Sequence, residues 1–287
     1  MAPFEALEGV ALGPADIAGG LALSIAAGWN QIADDWAFFI AQGHASGFRA
    51  PADGLVATTA AVVYGGGVAW ISMVLVAQAW RHRGLASLLL ERTLRRLEAL
   101  QVKPVLDATP LGEPVYRHLG FRAGFGFERW ERDPSTASAE QQGGPAPDPM
   151  LRAVSPADLD RLVALDQAAS RLGRRALLHN IVQRRGTSGW VTSDGDGFVL
   201  ARAGHRATQV GPLVAASPAQ ALALLAQVLR GVGGAVFIDV PTRWADIAAW
   251  LAQRGFVRQR PYVRMALGGA PIACDDRQFA LAGPEFG

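Results

Sequence analysis

Cysteine is nearly absent: Cys274 is the only one in 287 residues, which excludes a disulfide scaffold. Lysine is as scarce. Lys103 stands alone, so 26 of the 27 basic residues are arginine, an imbalance of coding bias that carries no functional weight. No apolar run reaches the ~18 residues of a membrane span, and the nearest, Gly19 to Gly28, contains Ser24. No Lys or Arg precedes Arg49, so the basic start of a secretory leader is missing, and the cytoplasm is the expected location. His44, His118, His179 and His205 show no ligand-type spacing, so no metal site is expected. What is abundant is apolar material: 50% of the residues are hydrophobic and 18% charged, enough for one large or two modest cores rather than a disordered chain.

Charge is unevenly placed. Residues 1–132 carry net −1, and residues 150–268 carry net +8 from 15 arginines and 7 aspartates. These arginines are scattered without a groove-reading or stacked-aromatic pattern. No nucleic-acid partner is expected; a solvated face, or a basic wall that steers an anionic substrate, is.

The stretch Asp133 to Asp148, DPSTASAEQQGGPAPD, has nothing large and apolar to bury and reads as a linker. On either side lies a weak repeat. Gly13-Pro14-Ala15-Asp16-Ile17 returns as Ser155-Pro156-Ala157-Asp158-Leu159, and Gly120-Phe121 returns as Gly255-Phe256. The common order predicts a duplicated domain: 1–132, a linker 133–149, a second copy 150–268 and a tail 269–287. Within the first copy, periodicity predicts helix within 17–42, strands over 54–64 and 67–76, and a helix over 85–100 whose apolar stripe runs Leu88, Leu89, Leu90, Leu94, Leu97 and Leu100. A short strand at 104–108, a helix near 113–119 and a strand from Phe121 complete an α+β domain on a mixed sheet.

The segment that carries chemistry is Gln78-Ala79-Trp80-Arg81-His82-Arg83-Gly84-Leu85-Ala86. A strand that feeds a helix opening on small residues exposes backbone N–H donors at the positive helix end, an anion site. Arg81 and Arg83 add guanidinium donors suited to phosphate oxygens. Neither GxxxxGK[ST] nor GxGxxG is present.

From Val76 through Arg81 and Gly84 to Ala86, this segment resembles the V-x-x-x-x-[QR]-x-x-G-x-[GA] signature of the GNAT acetyltransferase superfamily. LeuAspAlaThrPro at 106–110 and ProValTyrArgHisLeuGlyPhe at 114–121 continue the likeness. TrpAsnGln at 29–31, Asp34-Asp35-Trp36 and the terminal AlaGlyProGluPheGly resemble bacterial tandem-GNAT proteins. The implied fold is two GNAT-like domains in tandem, each a mixed, mostly antiparallel sheet flanked by helices. The implied reaction is acetyl transfer from acetyl-CoA to a small amine or amino-acid-like acceptor.

On that resemblance Val74, Leu75 and Val76 pair with the pantetheine arm, and His82, Arg83, Gly84, Leu85, Ala86 and Ser87 hold the pyrophosphate with Arg81. An N–H near Val74 would meet the oxyanion. Tyr116 stands where the family places the acid that protonates the departing sulfur. Asp107 and Asp34 or Asp35 are the carboxylates that could draw the ammonium and take its proton, with Trp29 beside the acceptor. In the second copy the corresponding junction, from Val210 to Ser217-Pro218, lacks the arginine and the R-x-x-G-x-A turn, so one active site is expected, in the first domain. Two other readings stay open: a non-catalytic acyl-CoA sensor, and an acetyltransferase of protein lysines or N-termini. Oligomeric state is not legible.

Overall fold

A computed structural model describes residues 7–134, 148–269 and 272–287, so most of the expected linker lies outside the described residues. The chain forms two compact units, 1–106 and 107–287. Among the described residues, no helix is long and apolar enough to cross a membrane, and no cluster of side chains could hold a metal ion.

In the first unit, β1 (Glu8–Ala11) leads through a 3-10 turn to α1 (Ile17–Ala26), then α2 (Ala33–Gln42), β2 (Gly43–Ala50), β3 (Gly54–Tyr64), β4 (Val68–Val76), α3 (Leu85–Ala99) and β5 (Lys103–Ala108). The helix expected within 17–42 is two helices, because Gly28 takes a left-handed φ of 70° that ends the first. Strands β1 to β4 pair antiparallel in sequence order, and β5 joins β4 in parallel. Alternation failed to reveal β1 and β2, which are short or rich in small residues. Helix α3 buries Leu85, Leu89, Leu90, Thr93 and Leu97; Leu100 is exposed, one residue beyond the helix and off its buried face.

The second unit begins with α4 (Glu113–His118) and β6 (Arg122–Arg132). It continues through β7 (Leu151–Ala153), α5 (Leu159–Ser170), α6 (Arg175–Gln183), β8 (Ser188–Thr192), β9 (Phe198–Arg202), β10 (Thr208–Val214), α7 (Pro218–Arg230), β11 (Val236–Pro241), α8 (Ala245–Ala252), β12 (Val257–Ala266) and β13 (Gln278–Ala280). Strand β6 runs antiparallel between β11 and β12. Sequence repeat and packing therefore divide the chain at different places: the strand that ends the first repeat is built into the second unit.

Both halves of the repeat are structural. In each Pro-Ala-Asp turn the aspartate carboxylate accepts the N–H three residues back, Gly13 at 3.0 Å and Ser155 at 2.8 Å. Each also binds an arginine, Arg49 at 2.6 Å and Arg152 at 2.5 Å. In each Gly-Phe pair the glycine is left-handed, φ 88° at Gly120 and 74° at Gly255. The phenylalanine N–H then closes on the helix behind it, Phe121 on the Tyr116 carbonyl and Phe256 on that of Leu251, as a left-handed helix stop requires.

The positive excess of the second half is not a free field. Counted over the compact unit 107–287, 20 arginines face 17 carboxylates, net +3. Arg129, Arg174, Arg202 and Arg264 are buried on Asp239, Asp166, Glu285 and Asp107. The arginines expected to form a solvated face or a basic wall include much of the core's ion pairing.

Candidate active site

The first unit builds a parallel strand pair whose pairing ends early and an exposed turn that leads into α3. Strand β4 pairs with β5 at Val68↔Lys103, Ala69↔Pro104 and Trp70↔Val105. Three residues on, its register against β3 breaks: Ala60 faces Ser72 and Thr58 faces Leu75, so Thr59 alone opposes Met73 and Val74. Met73 is left-handed at φ 52°, a conformation costly for a side chain with a Cβ and common where function dictates backbone. The hydroxyl of Thr58 donates to the Met73 carbonyl at 2.8 Å and holds the bulge in place. A bulge bends its strand and ends local pairing. In the first unit the described residues give β4 no further strand on its β5 side, so the main-chain groups near Val74, Leu75 and Val76 form an edge.

That edge runs into the turn. A 3-10 turn over Gln78–Trp80 is followed by His82 at φ 61° and Gly84 at φ 77°, two left-handed residues that swing the chain into α3. No side chain caps α3. The N–H groups of Leu85, Ala86 and Ser87 therefore lack the intrahelical acceptors that later turns enjoy. Leu85 is buried and anchors the first turn, whereas Arg81, His82, Arg83 and Gly84 are exposed. Nothing lies within 4 Å of where a Gly84 Cβ would stand, which leaves room for a bulky anion.

Both arginines are pinned to the turn's own carbonyls: Arg81 Nε donates to Val76 at 3.2 Å and Arg83 Nη2 to Ala79 at 3.0 Å. The Arg83 guanidinium also lies 4.8 Å from the Trp80 ring centre, and Trp80 Nε1 donates to Asp53 at 2.9 Å. Asp53, Trp80 and Thr58 had no signal as site residues in the sequence, because their roles depend on strands distant in the chain.

The three residues expected on the substrate side fall on or between α1 and α2. Trp29 is half-buried and Asp34 exposed. Asp35 is fully buried, and its carboxylate accepts the Ile32 N–H at 3.0 Å, so it caps α2. In the same loop, Gln31 Oε1 is buried without a hydrogen-bond partner among the described residues, as is Ser72 Oγ just before the bulge. Buried polar atoms are normally paired, so these two are polar acceptors that the first unit leaves over.

Asp107 and Tyr116 belong to the second unit. Both oxygens of Asp107 accept from Arg264, at 2.9 and 3.0 Å, and neither side chain is exposed. Burial pushes the Asp107 carboxyl above its usual range while the guanidinium pulls against that rise. With both oxygens engaged by Arg264, any role of Asp107 as the acceptor's base has to compete with this ion pair. Tyr116 is half-buried on α4, its ring tilted 59° against Phe121 at 5.9 Å. Its hydroxyl has no hydrogen-bond partner among the described residues. Burial pushes the phenol up to about 12, so it is protonated throughout the neutral range. Cys274 is half-buried, and burial raises its thiol, the opposite of what a thiolate nucleophile needs.

Comparison with known proteins meets this geometry. Two matches to family models described as "Acetyltransferase (GNAT) domain" cover residues 24–131 and 162–280. A relative from Pseudoalteromonas sp. (strain SANK 73390), named holothin acyltransferase, is 27% identical over 237 residues, 81% of this chain and 78% of that one. A Pyrococcus horikoshii protein proposed to be an acetyltransferase superposes with a TM-score of 0.82 at 19% identity, over 100% of this chain and 98% of that one. A tandem GNAT protein from the clavulanic acid biosynthesis pathway superposes at 0.65 and 16% identity, over 94% and 100%. With one family domain on each side of the 133–149 segment, the chain belongs to the GNAT acetyltransferases and is a tandem member of that family, an acyltransferase.

Proposed function

We propose that the chain transfers an acetyl group from acetyl-CoA to the primary amine of a small or amino-acid-like acceptor, using the first GNAT domain. The observation that carries this reading is the uncapped start of α3 behind left-handed Gly84, next to the bulged edge of β4. It joins an anion cradle to a row of main-chain groups that an amide-bearing ligand can pair with. Acetyl-CoA supplies a thioester carbonyl. Arg81, Arg83 and the N–H groups of His82 to Ser87 would hold its phosphates, and Val74 to Val76 its amide arm. An N–H at the bulge stabilises the carbonyl oxygen as charge develops there. The relative is named an acyltransferase, which keeps acyl groups longer than acetyl within the reading.

The acceptor's nitrogen must be neutral to attack, although a lysine-like amine has a free pKa near 10.4. Asp34 and the buried Gln31 Oε1 can take hydrogen bonds from an amine, and the Trp29 ring can face its cationic form. As the carbon–sulfur bond breaks and the carbon–nitrogen bond forms, the nitrogen releases a proton and the sulfur takes one. The family model over 24–131 spans both the turn and Tyr116, and the resemblance assigns the phenol as the donor to sulfur. A donor must be protonated, and a phenol at about 12 is so at every pH below that value.

The test is Tyr116→Phe with a panel of amines, amino acids and short peptides. The expected result is acceptor-dependent thiol release whose kcat falls about 100-fold or more in the variant, with acetyl-CoA affinity unchanged. In the wild type kcat should not fall as pH rises through 10, where a phenol at its ordinary value would already lose activity. Binding with no turnover on any acceptor would favour the sensor.

A further inference from the structure

The second unit repeats the splayed strand pair of the first and fills it. Strand β10 pairs in parallel with β11 at Thr208↔Val236, Gln209↔Phe237 and Val210↔Ile238, three pairs, as between β4 and β5. Its register against β9 then breaks between Val210 and Leu213, two residues facing one, as in β4. Into the opening comes β13, from the far end of the chain. It pairs antiparallel with β10 at Leu213↔Ala280 and Val214↔Gln278. The Ala215 N–H donates to the Arg277 carbonyl at 3.0 Å, and the Leu281 N–H donates across to Asp239 of β11 at 2.9 Å.

We infer that residues 277–282 are a permanent internal ligand of the second domain, a peptide strand seated in the groove that in the first domain is left for acyl-CoA. The equivalence of the grooves rests on the proposed function; the occupancy of the second does not. The strand is held along its length. Phe279, Ala280, Leu281 and Ala282 are fully buried, Phe279 stacks on Trp244 at 4.2 Å, and Trp244 Nε1 donates to the Gln278 carbonyl at 2.7 Å. A Cβ at Gly211 would stand 1.9 Å from the Leu281 carbonyl oxygen, so glycine is what lets the strand approach β10. Farther on, Arg202 pairs with Glu285 and packs on the Phe286 ring.

The helix start beside this groove is closed as well. Pro218 brings no N–H to α7, the Ser217 hydroxyl accepts the Gln220 N–H at 3.3 Å, and Gln220 Oε1 accepts the Ala216 N–H at 2.8 Å. Of the donors at this end, the Ala216 and Gln220 N–H groups have internal acceptors and Pro218 brings none.

Amide hydrogen exchange on the full chain, with and without acetyl-CoA, tests the assignment. Expected is that Ala215 and Leu281 exchange as slowly as the core of α7, opening only when the protein unfolds, and that acetyl-CoA leaves both unchanged. Exchange at these amides more than about 100-fold faster than in α7, or acceleration by acetyl-CoA, overturns it, because the strand would then be an exchangeable flap. Protection over 73–88 is a separate readout: its absence sinks acyl-CoA binding, while slow exchange at Ala215 and Leu281 still supports 277–282 as a fixed strand. Gly211→Ala should lower the unfolding midpoint; an unchanged midpoint would also contradict the assignment. Should that variant fail to fold, exchange in the wild type decides.

Discussion

The chain contains two copies of one architecture, and they differ at the junction between the bulged strand and the helix that follows it. Around β4 the strand pair opens, a bulge turns the backbone, and the following helix begins with uncapped donors. Around β10 the strand pair opens in the same way, but a strand of the protein lies in the gap and Ser217 caps the helix. The two grooves thus share a backbone geometry and differ in what occupies it. A parallel pair that splays leaves main-chain donors and acceptors facing inward, and buried ones demand partners. In the first domain a ligand can supply them. In the second, Arg277, Gln278, Ala280 and Leu281 do.

The largest effect that would sharpen this contrast is on stability. Asp107→Asn removes the charge opposing Arg264 in a pair with no exposure, and breaking such a pair costs about 3–5 kcal/mol. Chemical denaturation should show that loss while the folded variant keeps kcat within a few-fold. A 100-fold fall in kcat at unchanged stability would instead restore Asp107 as the base. Next comes Gly84→Val. A β-branched residue at φ 77° strains the turn and fills the space before α3, so kcat/KM should fall about 100-fold, chiefly through KM for acetyl-CoA. A fall in kcat alone would place the phosphates elsewhere. The smallest effect belongs to the second domain: Ser217→Ala should lower stability by about 1 kcal/mol and leave acetyl-CoA affinity unchanged. A changed affinity would mean that α7 touches the cofactor after all.

Much of the fold was legible because it rests on local chemistry. The Pro-Ala-Asp turns and the Gly-Phe stops need particular residues at fixed spacing, and both recur in the sequence because both recur in the structure. The turn at 78–86 was legible for the same reason: its left-handed glycine and small residues follow one another in the chain. What escaped depends on partners far apart in sequence. That Asp107 is held by Arg264, 157 residues away, could not be read from the sequence. The burial of Asp35 on the α2 cap cannot be read from a run of two aspartates. The positive charge of 150–268 looked like a field because its counterions, Asp107, Glu128 and Glu285 among them, lie outside that stretch. No composition or periodicity announces that a tail segment of Gln, Phe, Ala and Leu will lie in a groove.

If this tandem protein has one acyl-CoA groove, in its first domain, and has closed the other with its own chain, its binding stoichiometry is fixed. Calorimetric titration of acetyl-CoA into the full-length protein and into Gly84→Val reads that stoichiometry. One molecule should bind per chain in the wild type, with binding lost or weakened about 100-fold in the variant. Two molecules per chain, or one whose affinity survives Gly84→Val, would contradict a single groove in the first domain.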